Sequence, residues 1–234
     1  MPSAALREYL KFMEKKSSTV LKFLLGNLIP LGQVVGLIFL LFLSMDSIAK
    51  FLVIVFWIYL FPPLAVRAIF FIWGKPQGVF SEGDSSFWVW YYSAQFQVLY
   101  LRFGFLEEIL RIVPIVYSIW LRFWGAKIGK LVYWAPAVKI MDRAHLEIGD
   151  QVLVGYGVGF TSHHIKSVNG KMELLVTAPK VEAKATLGGL SGLTPGSRVC
   201  AGELLPTTMR LSPFYIWKNG RRHKNDAKGA DLIE

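Results

Sequence analysis

The 234-residue sequence predicts a mainly β region wound as a parallel β-helix of hexapeptide repeats, preceded by an α-helical module that meets a membrane. A period of six is the first observation. Ile148, Val154 and Phe160 stand six apart, and Val181, Leu187, Leu193, Val199 and Leu205 keep the same step. Ile128, Trp134 and Ile140 precede them as weaker members. An α-helix repeats near 3.6 and a strand at 2, so neither explains six. A parallel β-helix does, because each six-residue face turns one aliphatic side chain into a narrow interior. Glycines 129, 149, 155 and 188 follow repeat aliphatics, which suits a tight corner where the chain needs little steric restriction. The second observation is composition: 53% of the residues are hydrophobic, with 8 Trp, 9 Tyr and 17 Phe, and the excess sits almost wholly before residue 125.

The net charge of +10 is compatible with nucleic acid in general. Here the basic residues stand beside aromatic-rich apolar runs, which points to an anionic lipid surface and away from nucleic acid. One cysteine, Cys200, excludes an internal disulfide framework and a multi-cysteine metal site, and it reads as a packing residue. The first apolar run is long and no small-residue cleavage site follows it, so no cleavable signal is expected.

In chain order, residues 1–124 form the membrane module. Residues 2–22 place Leu6, Leu10 and Met13 on one face and Arg7, Lys11 and Lys15 on another, as an interfacial helix would. Apolar runs at about 23–44, without a charge, and 51–73, uncharged to Val66 and continuing past Arg67, are long enough to cross a bilayer and form a hairpin around a polar connector holding Asp46 and Lys50. Arg67 snorkels or pairs within the protein. Arg7, Lys11, Lys15, Lys16 and Lys22 before the first run put both ends in the cytoplasm. Residues 74–84 read as a loop in which Asp84 offers helix-capping chemistry. Residues 86–124 are aromatic and broken, and read as one or two interfacial helices, with a third and fourth crossing as the alternative. The coils span 125–208, and 209–234 form a basic, aromatic tail that contacts anionic lipid or the phosphates of a bound substrate, or stays solvated.

The repeat breaks after His163 and His164, over 165–180, and Asn169-Gly170 there is a strong hairpin signal. A hairpin leaving the coil at that point would overhang the histidines as one wall of a cleft. Asp142 is read as a carboxylate that orients an imidazole or holds a substrate group, or else as a solvated turn residue. His145 and His223 carry no assigned role. No phosphate-binding loop or dinucleotide fingerprint occurs.

Residues 125–164 and 186–206 resemble the hexapeptide-repeat acyltransferases, as a membrane-bound member. The resemblance is carried by Ile148-Gly149-Asp150 as a coil opening, Thr194-Pro195-Gly196 as a late corner, and Thr161-Ser162-His163 before a looping excursion. It implies a left-handed β-helix and an acetyl- or acyltransferase. The donor would be acetyl-CoA or acyl-CoA, or an acyl carrier protein, with no metal. His163 would be the general base, or His164 in its place, because residues that often separate this histidine from a following pair are absent here. Donor binding would fall on Lys184, Gly188, Gly189, Ser191, Gly192 and Arg198, with backbone approach at the small residues and phosphates at the basic ones. The acceptor would be a membrane lipid or lipid-linked hydroxyl or amine, the setting a bacterial inner membrane with a cytoplasmic β-helix, and the assembly a homotrimer. Two other classes stand beside this reading: a non-catalytic membrane-anchored scaffold, and a zinc enzyme like the carbonic anhydrases of this fold, with His145 as third ligand.

Overall fold

The computed structural model describes residues 4–168 and 170–224, with side chains from residue 18 onward. Helix α1 runs unbroken over Ala4–Phe42, so the expected interfacial segment and first apolar run are one helix. The side chains of Leu6, Arg7, Leu10, Lys11, Met13, Lys15 and Lys16 lie outside the described residues. Asp46 caps α2 (Ser47–Val55) by accepting from the Ile48 and Ala49 amides at 3.1 and 3.2 Å. A π-helical turn, Phe56–Leu60, leads into α3 (Phe61–Trp73). Ser18–Phe42 and Ser47–Trp73 are each long and apolar enough to cross a bilayer, and only 11% and 17% of their apolar windows are buried. Their greasy faces point outward, unlike a soluble protein's core helices.

The π-turn has an identifiable cause. Pro62 and Pro63 have no N–H to give the carbonyls four residues earlier, Ile58 and Tyr59. The Tyr100 hydroxyl donates to the Ile58 carbonyl, and Trp120 Nε1–H donates to that of Tyr59 at 2.8 Å. The vacated carbonyls thereby tie the second apolar helix to the region after it. That region holds four short helices where one or two were expected: α4 (Ser85–Gln95), α5 (Val98–Arg102), α6 (Phe105–Arg111) and α7 (Pro114–Trp124). Gly104 interrupts, and Pro114 opens α7 at the position where a missing N–H is harmless. Gly125, with φ +96°, ends α7, and the Ala126 amide returns to the Leu121 carbonyl at 3.2 Å.

The expected loop after α3 contains a strand, β1 (Gly78–Ser81). Asp84 occupies the cap position of α4, but its carboxylate turns back to the Ser81 amide at 2.7 Å instead of capping.

The coils follow. Their first face stacks β2 (Lys127–Ile128), β5 (Glu147–Ile148), β10 (Lys180–Val181), β13 (Arg198–Val199) and β16 (Tyr215–Lys218) in parallel. The second holds β3 (Tyr133–Trp134), β6 (Leu153–Val154), β11 (Thr186–Leu187) and β14 (Leu204–Leu205). The third holds β4 (Lys139–Ile140), β7 (Gly159–Phe160), β12 (Gly192–Leu193) and β15 (Arg210–Leu211). Between the second and third coils, β8 (His163–Val168) and β9 (Lys171–Val176) pair antiparallel, and β1 completes the sheet at the outer edge of β9. β9 is thereby the central strand, and the outer edge passes to the four-residue β1, a short edge strand. Asn169 itself lies outside the described residues.

The repeat does not fade after Leu205. Leu211 and Trp217 keep the step and are buried, and β17 (Arg221–Lys224) folds back on β16. The anticipated tail is therefore largely a last coil and a hairpin. The final residues, 225–234, lie outside the described residues.

The glycines serve a purpose other than corner flexibility. Glycines 129, 149, 155 and 188 do not have left-handed φ; a Cβ on each would sit within 2.6 Å of the next coil's backbone. They permit the coils to stack closely. Left-handed φ falls instead three residues after nearly every repeat position, at Leu131, Ala137, Gln151, Lys184, Leu190 and Thr208 among others. The third corner of the first two coils, at Arg143 and His163, departs from that pattern.

The open floor of the first coil is closed by the helical module. Leu121 and Trp124 of α7 join the same core as Ile128 and Trp134. Arg122 donates to the Ile128 and Gly129 carbonyls at 2.9 and 2.7 Å, Arg111 donates to that of Val138 at 2.8 Å, and Glu108 accepts from the Ala137 amide at 2.9 Å. Side chains thus take hydrogen bonds that a further coil would otherwise supply.

Because a Cβ on Gly188 would meet the Thr207 amide nitrogen at 2.5 Å, Gly188→Ala should lower stability by about 1–3 kcal/mol in denaturant or thermal unfolding. At Gly189 the nearest atom is 3.4 Å away, and Gly189→Ala should leave the midpoint nearly unchanged.

Candidate active site

From Ile140 to Ile148 the step is eight residues, two more than the repeat needs. The surplus sits at the third corner of the first coil, in Asp142-Arg143-Ala144-His145, and all four residues are buried. At the same corner one coil later, the chain leaves through Ser162 and His163 into β8. Parallel stacking sets the two corners one above the other, and Asp142 Oδ2 lies 2.7 Å from His163 Nδ1. Asp142 is 1% exposed, so it is no solvated turn residue; the fold turns it into the protein. Its Oδ2 also accepts from the Ser162 amide at 3.1 Å, and its Oδ1 accepts from Trp90 Nε1–H of α4 at 3.1 Å. The Trp90 ring lies against the imidazole, with centroids 4.8 Å apart and planes at 57°.

The charges follow from this arrangement. Burial alone would raise the Asp142 carboxyl, but the hydrogen bond and charge of His163, the nearby His145 and the Trp90 N–H together hold it below its usual value. Burial would lower His163, but the Asp142 hydrogen bond and charge outweigh it and raise the imidazole above its usual value. An ionised carboxylate only accepts, so Nδ1 carries the shared proton and Nε2 presents the lone pair. The His163 side chain is 24% exposed and its partner 1%, so the imidazole reaches the surface while the carboxylate that holds it is out of water.

The remainder of the corner is gripped by the helical module. Gln97 Oε1 accepts from the Arg143 amide at 2.7 Å, and Glu107 accepts from Arg143 Nε at 2.6 Å and from the Tyr117 hydroxyl at 2.7 Å. Lys75 Nζ donates to the Ala144 carbonyl at 2.6 Å. His145 donates from Nε2 to the Pro76 carbonyl at 2.8 Å, and burial, then the Lys75 charge, lowers it to about 4. It is a neutral imidazole whose Nε2 is committed to a backbone carbonyl. His164 is exposed and, by strand alternation, on the other face of β8. Among the described residues no three His, Cys, Asp or Glu side chains are grouped to hold a metal ion.

The donor candidates do not converge. Lys184 occupies the first corner, and Gly188 and Gly189 the second, away from His163. Gly188 answers to coil stacking, and Ser191 is buried with no partner for its hydroxyl among the described residues. Gly192 and Arg198 flank the third corner, on the faces before and after it, and Arg198 is engaged by Glu182. Trp90, Gln97, Glu107 and Arg143 went unrecognised in the sequence. The eight-residue step at Ile140 was the available signal for this corner; nothing local marked Trp90, 52 residues from its acceptor.

No protein-family model matches the sequence. No curated protein matches it either. Among solved structures the chain is similar to the crystal structure of a hexapeptide-repeat-containing acetyltransferase from Vibrio cholerae, with 12% identity over 51% of this chain and 85% of that one and a TM-score of 0.36. It is also similar to that acetyltransferase complexed with acetyl coenzyme A, from Vibrio cholerae O1 biovar eltor, with 16% identity over 53% and 84% and a TM-score of 0.33.

The Asp142 pKa is depressed, so its share of stability is present above the ordinary carboxylate range and is lost as pH falls through the depressed value. His163 is raised, so its share is full below about 6.5 and is lost as pH climbs through the raised value. Titration of the His163 ring by NMR should show a midpoint above the ordinary 6.5, and Asp142→Asn should bring it below, since only burial then acts.

Proposed function

We propose that the chain is a membrane-bound acyltransferase that moves an acyl group from a coenzyme A or carrier-protein thioester to a hydroxyl or amine of a lipid-linked or amphiphilic acceptor. The observation that carries the reading is the His163–Asp142 pair: an accessible imidazole with its proton-bearing nitrogen fixed on a buried carboxylate. In the reaction His163 Nε2 takes the proton of the acceptor O–H or N–H as that atom attacks the thioester carbonyl carbon. The carbon–sulfur bond breaks, and the imidazolium returns the proton to the leaving thiolate. The acyl group ends on the acceptor, free thiol is released, and the imidazole is restored. No covalent enzyme intermediate is required. Asp142 holds the tautomer and offsets the transient positive charge. Trp90 holds Asp142 and packs on the ring. His164, exposed and without a carboxylate partner among the described residues, is not the base on this reading.

The outward-facing apolar helices support the placement at a bilayer, and the basic residues before α1's apolar part support a cytoplasmic β-helix. Gly192 and Arg198 are the donor-side candidates nearest the base. A scaffold without catalysis would keep the coils but have no use for an oriented, partly open imidazole.

The test is thiol release from acetyl-, medium-chain and long-chain coenzyme A by purified protein with a lipid extract. His163→Ala should lower kcat/KM by about 10²–10⁴-fold, while His164→Ala should stay near wild type. Activity of wild type should rise with pH as His163 loses its proton, with the limb of kcat/KM lying above about 6.5. Trp90→Phe keeps the ring and removes the N–H; it should lower kcat and displace that limb, which loss of folded protein alone would not do. No thiol release with any donor would favour the scaffold.

A further inference from the structure

A cavity of about 640 Å³ lies between α5, α6 and the third face of the first coil. Leu101, Val138 and Met141 contribute to walls that are mostly apolar, yet four cationic side chains and two carboxylates also face it. Glu107 and Glu108 are engaged by Arg111 and Arg143. Arg102 and Lys139 are exposed and form no ion pair among the described residues. Positive charge is therefore left over at the cavity. Arg111 is 7% exposed, and its Nε–H has no hydrogen-bond partner among the described residues. A buried guanidinium with an idle donor is costly unless something fills the place. Beside the cavity, Leu101, Phe103 and Phe105 expose apolar side chains in the module that carries the two long apolar helices. Met141 and Arg143 line the space on either side of Asp142, whose carboxylate holds His163.

We propose that this cavity binds the anionic end of a membrane amphiphile, a phosphate or carboxylate with an apolar chain attached, and that a hydroxyl or amine of the same molecule is the acceptor, reaching from the cavity past Met141 and Arg143 towards His163. Cationic side chains take the anion, and the apolar wall takes the first part of the chain. A neutral sugar satisfies neither feature, and a bare anion leaves the apolar wall empty. The acceptor role rests on the acyl-transfer reading, while the binding does not.

The experiment uses the full chain in phosphatidylcholine nanodiscs, with cis-parinaric acid as a fluorescent anionic amphiphile and its methyl ester as the neutral control. The carboxylate should bind saturably and at least about tenfold tighter than the ester, the factor that one charge-assisted hydrogen bond supplies. Leu101→Trp, which fills the space from a half-exposed position, should weaken it, as should Arg102→Glu combined with Lys139→Glu. Both are surface-tolerant changes, checked for unaltered thermal unfolding. His163→Ala should bind the probe like wild type. Equal affinity for acid and ester, or wild-type binding by both cavity variants, would overturn the proposal. Displacement of the probe by coenzyme A alone would also overturn it, because the cavity would then be the donor's. Binding as expected without thioester turnover would leave the site standing and remove the acyltransferase reading. Turnover without binding would do the reverse.

Discussion

Successive rungs of a parallel β-helix lie about 4.8 Å apart, so whatever one coil places at a corner faces whatever the next coil places there. That spacing governs this molecule. It forbids a Cβ at Gly129, Gly149, Gly155 and Gly188, where the neighbouring backbone is already in contact. It also turns a two-residue surplus in one coil and an excursion in the next into a single local environment. Asp142 and His163 are 21 residues apart in the chain and 2.7 Å apart in space for this reason. The regular coils turn through a residue with left-handed φ three places after the repeat aliphatic, and the rebuilt corner alone gives that up in the first two coils.

The helical module is fastened to the coils at the same corner. Gln97, Glu107 and Lys75 hold its backbone and side chains, and Trp90 reaches the Asp142 carboxylate directly. Glu107 is 3% exposed and receives donors from Arg143, Arg111 and Tyr117, so its buried charge is matched on every side. The second apolar helix is tied in by a different device. Two consecutive prolines free two carbonyls, and Tyr100 and Trp120 take them. Any displacement of that helix would strand those carbonyls, so its position and that of α5 and α7 are linked.

The coil fold was legible because a six-residue period is a property of the strand and corner alone and needs no knowledge of distant contacts. It was lost where chemistry disguised it: Ser212-Pro213-Phe214-Tyr215 reads as an aromatic tail, though Leu211 and Trp217 continue the interior column. The break in the repeat marked His163 and His164 together, and only the fold shows which of the two meets a buried carboxylate. Asp142 was visible but ambiguous, because burial of a carboxylate is decided by Trp90 and Ser162, not by its neighbours in sequence. Residues 86–124 were misjudged in number of helices, since aromatic content speaks of burial or interface and says little about where Gly104 and Pro114 will cut the chain.

The arginines beneath the first coil have a consequence for what can be taken apart. Arg122 and Arg111 bond to carbonyls that would otherwise await another rung, and Trp124 fills the floor. A chain severed at Gly125 would show a bare ladder above an uncovered apolar cavity, which is a template for another copy to add to. The coils are thus not a cargo that the helices carry; the helices are the end-stop that keeps the stack finite.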